Sequence, residues 1–122
     1  MASIAVGAQA HGQAMRASVP EMATFLQEVL GQKLAALTVG IADPKAVGRW
    51  ARGERSPHPD MEQRLRETYQ ITRLLAQAES PGIVRAWFMG MNPHLDDESP
   101  ALMLVQAPAQ VLGAARAFLT NA

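Results

Sequence analysis

Apolar residues recur at steps of three and four along most of this chain, the spacing that gives a helix one buried stripe. Met22, Phe25, Leu26, Val29 and Leu30 form the first stripe. Ser18, with Glu21 three residues on, supplies a capping-box start, and Gly31 ends or bends the helix. Leu34, Leu37 and Ile41 continue the core through a second helix. Asp43 then offers a side-chain oxygen to open N–H groups, and Pro44 suits a first helical position. Gly53 stands where a left-handed residue closes a helix, and Pro57 blocks its continuation. Between these marks lies a helix of about three turns. Its Val47 and Trp50 share an inward face; Lys45, Arg49 and Arg52, spaced i, i+4 and i+7, share an outward one.

Beyond the break Ser56-Pro57-His58-Pro59, Asp60 is expected to cap a long helix from about Met61 to Glu79. Leu65, Tyr69, Thr72 and Ala76 line one side of it, with Ile71, Leu74 and Leu75 adjacent, and Arg64, Glu67 and Gln77 outside. So wide an apolar surface predicts packing on both sides, against a shared core or against its twin in a dimer. Ser80-Pro81-Gly82 opens the next helix, with Ile83, Val84, Trp87 and Phe88 buried, and Asn92-Pro93 stops it. A short helix follows over 100–106, carrying Leu102, Met103 and Val105. Pro108 opens the last, with Val111, Leu112, Ala115, Phe118 and Leu119 on one stripe. The expected fold is all-α, a helix-turn-helix bundle followed by a small C-terminal helical subdomain. Its parts are a loosely ordered arm (1–17), a helix-turn-helix domain (18–58), a connecting helix (59–79) and a C-terminal helical domain (80–122).

Charge divides this pattern further. The formal net charge is zero, but from Gln32 to Arg73 eight basic residues stand against five acidic ones. From Leu74 onward Arg85 and Arg116 face Glu79, Asp96, Asp97 and Glu98. A basic middle and an acidic end imply two different surfaces. The excess is small, so tight DNA binding requires more than one copy of the basic face, and a homodimer or larger assembly is expected.

A short helix with an apolar back and a basic front fits the major groove. In that setting Arg49 is the candidate for a base edge, since its planar fork matches guanine O6 and N7. Lys45 reads a base or a phosphate; Arg52 and Arg55 suit phosphates. The competing reading makes these four a solvated face. The turn adds a second open point: Gly40 lies farther from the Leu34-Ala35 pair than the commonest helix-turn-helix register has it. The turn is then one residue longer, or the register starts at Ala36.

The remaining composition narrows the chemistry. There is no cysteine, so neither a disulfide nor a cysteine zinc site can form. The loop His94-Leu95-Asp96-Asp97-Glu98 gathers an imidazole and three carboxylates. They are consecutive and lack a second ligand cluster, and acids before Ser99-Pro100 suit the positive end of a helix. No metal site, no cofactor and no enzymatic activity are expected, because no phosphate loop, nucleophile elbow or catalytic cluster occurs. No apolar run has the length of a membrane span, and residues 1–17 lack the basic start and hydrophobic core of a signal peptide. A cytoplasmic protein is expected, with an arm that is either loosely ordered or DNA-contacting.

The run AVGRWARGERSP, 46–57, resembles the end of the recognition helix in Xre-type helix-turn-helix proteins. WFMGMNPHLDDESPALMLVQAP, 87–108, resembles the C-terminal domain of the Xre/MbcA/ParS-like antitoxins, with a Trp on a helix, an Asn-Pro loop, a Leu and a helix-opening Pro. The segments fall in the family's order. The resemblance implies a helix-turn-helix that represses its own operon through Lys45, Arg49, Arg52 and Arg55. It also implies a C-terminal domain that binds a RES-domain-like toxin consuming NAD and blocks its pocket with the antitoxin's C-terminal end. The toxin-facing residues would be Arg116, Thr120 and Asn121, exposed by helical spacing. Trp87, Asn92, Pro93, Leu95 and Pro100 match the pattern as framework. Two other functions fit the same residues: a stand-alone helix-turn-helix regulator, and a helical adaptor that no longer binds DNA.

Overall fold

The computed structural model describes residues 17–121, with side chains to Thr120. The arm thus lies outside the described residues except for Ala17, as do the side chain of Asn121 and all of Ala122. The described chain is all-α: α1 (Val19–Leu30), α2 (Gln32–Val39), α3 (Lys45–Ala51), α4 (Pro59–Ala76), α5 (Pro81–Met89), α6 (Pro100–Met103) and α7 (Pro108–Asn121), with a 3₁₀ turn at Pro93–Leu95. Among the described residues no helix is long and apolar enough to cross a membrane.

Short polar signals start the helices. The hydroxyls of Ser18, Ser80 and Ser99 each accept a backbone N–H three residues on, from Glu21, Ile83 and Leu102. At α4 the expected cap is displaced. His58 is the N-cap and Pro59 the first helical residue, so Asp60 falls inside the first turn. Proline favours that first position, and a carboxylate one residue later still meets the positive end of the helix.

Gly31 (φ 82°) interrupts the helical run for a single residue between α1 and α2. Gly40 (φ 84°) ends α2 in the left-handed region, its N–H donating to the carbonyls of Ala36 and Leu37. A side chain there would be strained, and its Cβ would lie 2.9 Å from Val105 Cγ2. The α2–α3 turn therefore presses on the segment joining α6 to α7.

The buried hydrophobic residues form one cluster that draws on α1 through α7. Its largest fully buried side chains are Phe88, Met22, Leu26, Leu65, Leu74, Leu75 and Leu104. Helix α4 is the shared wall, packed by α1 and α2 on one part of its surface and by α5 and α7 on others. Both sides of its broad apolar surface are thus covered within the chain. Ala17 also belongs to this cluster, and its carbonyl accepts from Arg66 Nη1 at 2.8 Å.

Three expectations of burial change. Leu37 is 44% exposed; α2 instead buries Leu34, Ala35, Ala36, Thr38 and Val39. A short helix wedged against α1, α3, α4 and α6 places small residues at the close contacts and turns Leu37 outward. In α5 only Val84 and Phe88 are buried, whereas Ile83 is exposed and Trp87 half-buried. The short α6 stops at Met103 and buries Pro100 and Ala101, with Leu104 just beyond; Leu102 faces outward. Within α4, Thr68 Oγ1 and Thr72 Oγ1 are buried with no hydrogen-bond partner.

Candidate functional site

Helix α3 is positioned by what its back and ends do. Val47 is fully buried and Trp50 nearly so, docking the helix onto α1 and α2. Burying side chains of this size contributes about 1.5–3 kcal/mol each. Gly48 is buried too, because α1 and α2 come close at that point. A Cβ on it would lie 2.7 Å from Gln32 Nε2, whose amide donates to Gln27 Oε1 at 2.8 Å.

The helix opens one residue later than the sequence suggests: Pro44 is the N-cap and Lys45 the first helical residue. Asp43 Oδ1 accepts the Lys45 N–H at 3.0 Å, and Pro44 already has helical dihedrals (φ −58°, ψ −26°). At the far end Gly53 is left-handed (φ 72°). The Glu54 N–H reaches back to the Arg49 carbonyl at 2.9 Å and the Gly53 N–H to that of Trp50, a Schellman closure. α2 ends at Val39 and α3 begins at Lys45, and across this turn Val47 and Trp50 face inward.

The outward face holds Lys45, Arg49 and Arg52, with Arg55 in the following loop. All are exposed except Arg49, which is half-buried. Two are held by carboxylates of their own segment. Arg49 Nη1 lies 3.2 Å from Asp43 Oδ2, and Arg52 forks onto Glu54 through Nε (2.8 Å) and Nη2 (3.2 Å). Lys45 and Arg55 form no ion pair among the described residues. The Lys45 N–H and the Arg49 guanidinium hold the Asp43 carboxyl below the usual carboxylate range. Arg52 does the same to Glu54, which raises Arg52 in turn. At a solvent-exposed surface such pairs are screened and easily exchanged for other anions.

Beside this face, where α3 meets the start of α4, lies a cleft of about 190 Å³. Ala46, Trp50, Pro57 and Met61 form its apolar part, and Arg49, Arg55, Ser56 and His58 its polar part. Arg49 and Arg55 were legible from sequence; Ser56, His58 and Met61 were not. They lie in or beyond the loop after α3, and only the folded path of that loop into α4 brings them alongside α3.

The C-terminal region has the opposite character. The accessible face of α5 carries Pro81, Gly82, Ile83, Ala86 and Met89, without a charge. Its one charged residue, Arg85, turns inward and donates to the Val29 carbonyl at 3.0 Å. Leu102 is half-exposed and Met91 is 82% exposed. An open cleft of about 370 Å³ runs between Trp87, Met91, Asn92 and His94 on one side and Ala114, Ala117 and Phe118 of α7 on the other.

The loop below it is tightly closed. Asn92 Oδ1 accepts from the His94 N–H, the Asn92 carbonyl from Leu95 and Asp97, and the Asn92 N–H donates to the Glu98 carbonyl. Leu95 is buried under it, while Asp96 and Asp97 take left-handed dihedrals (φ 53° and 66°) and stay exposed with Glu98. Among the described residues no group of three His, Cys, Asp or Glu is placed to hold a metal ion. On α7 Arg116 and Thr120 are exposed, the Thr120 hydroxyl turned back to the carbonyls of Arg116 and Ala117. The apolar surface of α5 and the cleft were not anticipated as a site. Ile83 and Trp87 stood in the sequence as core, and helical spacing alone does not say which stripe a partner helix covers.

No family model matches the chain, and comparison with curated proteins and with solved structures finds no match either.

Proposed function

We propose that the chain is the antitoxin of a toxin–antitoxin pair, with one surface for DNA and another for a protein partner. The observation that carries the DNA half is α3: apolar behind, closed at both ends, and carrying Lys45, Arg49 and Arg52 outward with Arg55 beyond. Such a helix enters a major groove, Arg49 at a base edge and Arg52 and Arg55 on phosphates. Lys45, near the helix start, takes either. Two symmetry-related copies supply the affinity that one small basic face lacks. The ion pairs of Arg49 and Arg52 exchange a carboxylate for a phosphate or base on binding.

The partner half rests on the resemblance of 87–108 to the Xre/MbcA/ParS-like antitoxins. The exposed apolar surface of α5, Met91 and the adjoining cleft support it, since exposed apolar clusters of this kind mark protein contacts. The partner is a RES-domain-like toxin whose pocket the end of α7 occludes, with Arg116, Thr120 and Asn121 facing it. Co-expression with the neighbouring reading frame and purification through a tag on this chain tests the reading. A stoichiometric partner whose toxicity is masked is the expected result; a chain that purifies alone and represses its promoter is instead a stand-alone regulator. The carboxylates on Arg49 and Arg52 favour one further reading, a helical adaptor that binds the partner and no DNA. Retention of the partner without any DNA complex would establish it.

A further inference from the structure

We propose that the cleft between α3 and α4 is a site for a phosphate ester, and that its occupant is a phosphodiester of a DNA strand. This deepens the DNA-binding reading and rests on it for the identity of the strand. At about 190 Å³ the cleft is smaller than a drug-sized pocket and takes a unit the size of one sugar-phosphate. Its chemistry is divided in the way such a unit requires. Ala46, Trp50, Pro57 and Met61 offer an apolar wall for a deoxyribose; Arg55, Ser56 and His58 offer donors for the phosphate, with Arg49 lining the cleft beside them.

The charge balance has the same sense. Asp43 and Glu54, the carboxylates nearest in sequence, are engaged by Arg49 and Arg52, while Arg55 forms no ion pair among the described residues. Arg49 meets Asp43 through one nitrogen, Nη1, so its remaining donors can serve a ligand. The cleft adjoins the outward face of α3 at Arg49. A strand whose base edge meets that face would therefore place its backbone over the cleft. Arg55, Ser56 and His58 thus position the strand rather than read its sequence.

The test is a nitrogen-15 NMR titration of the full chain with thymidine, thymidine 5′-monophosphate and a duplex from upstream of its own reading frame. It is repeated with Arg55→Gln, a substitution at an exposed residue that leaves the fold intact. The monophosphate and the duplex are expected to move the Trp50 indole signal and the Ser56, His58 and Met61 amides, and thymidine to leave them still. Arg55→Gln is expected to weaken specific and random duplexes equally, roughly three- to tenfold, and to lower the salt slope by about one. A duplex that binds while the cleft signals stay still and the slope is unchanged in the variant overturns the inference and leaves the DNA reading standing. If the monophosphate moves the cleft and no duplex binds, the phosphate-ester site is supported with a free nucleotide as its source, and the DNA reading fails. Silence of the cleft toward the monophosphate and the duplex alike overturns the inference.

Discussion

The α3 face and the α5–α7 face leave opposite things exposed. On α3 every large apolar side chain is turned inward, and guanidinium and ammonium groups remain outside. On α5 the one charged side chain turns inward to a carbonyl of α1, and Ile83, Ala86 and Met89 remain outside. Neither face is explained by the needs of the core, which both serve through other residues. A cationic surface without apolar anchors suits a hydrated polyanion whose counterions are released; an apolar one without charge suits a surface it can exclude water from. The two faces thus differ in the chemistry they leave exposed.

The largest expected effect is on the link between them. Phe88 is fully buried in the common cluster, and Phe88→Ala should cost about 3–5 kcal/mol of folding stability. Denaturant unfolding followed at Trp50 and Trp87 separately should give one shifted transition. Two separated transitions would mean that the faces belong to independently folding units.

Next comes the base-reading role. Arg49→Ala should weaken specific DNA binding by about 1–3 kcal/mol and leave partner binding untouched. An equal loss on specific and random DNA would reduce Arg49 to a phosphate contact. On the other face, Ile83→Lys should change stability by no more than about 0.5 kcal/mol, because the side chain is already exposed. It should nonetheless abolish capture of the partner. Unchanged capture would move the contact to Arg116, Thr120 and the end of α7.

A smaller effect of opposite sign is expected in the wall between the faces. Thr72→Val replaces a buried hydroxyl without a hydrogen bond by an isosteric methyl. It should raise stability by roughly 1 kcal/mol, read as a higher midpoint in urea. A lower midpoint would show that the hydroxyl is satisfied in solution.

The smallest concerns pH. The Asp43 carboxyl is depressed in the folded chain, chiefly by the Lys45 N–H and then by Arg49. Its contribution is therefore present above the ordinary aspartate value of about 3.9. It is lost as pH falls from there through the lower folded value. Asp43→Asn should remove that acid-range slope while retaining a capping oxygen. It should also strengthen non-specific DNA binding by releasing Arg49. An unaltered pH profile would show that the pair with Arg49 and the cap add nothing to stability.

How much of this was legible varies with the kind of signal. Caps and breaks were: Ser18, Ser80, Asp43, Gly53 and Asn92-Pro93 act locally, and the chain obeys them, although α3 starts one residue later than Pro44 suggests. The missed start of α4 shows the limit, because Asp60 and His58 compete for one role and Pro59 decides it. Stripes gave the helices but not always their buried sides. Leu37 and Ile83 fit their patterns and still face outward, since α2 and α5 are short and their neighbours in space, not spacing, choose the face. The cationic side chains of α3 were readable as a set. Their carboxylate partners Asp43 and Glu54 were in view as residues, but the geometry that pairs them was not. The α3–α4 cleft depends on the path of the loop between them, and the apolar α5 surface on what fails to cover it; neither leaves a periodic trace.

The most direct test of the two-face account is the affinity of the full chain for duplex DNA from upstream of its own reading frame, measured against salt and against random duplex. The account predicts a linear fall of log affinity with log salt and a specificity ratio on the order of a thousandfold or more. Equal binding to both duplexes would contradict the base-reading role, and no binding even at low salt would contradict the account altogether and leave α3 a solvated face.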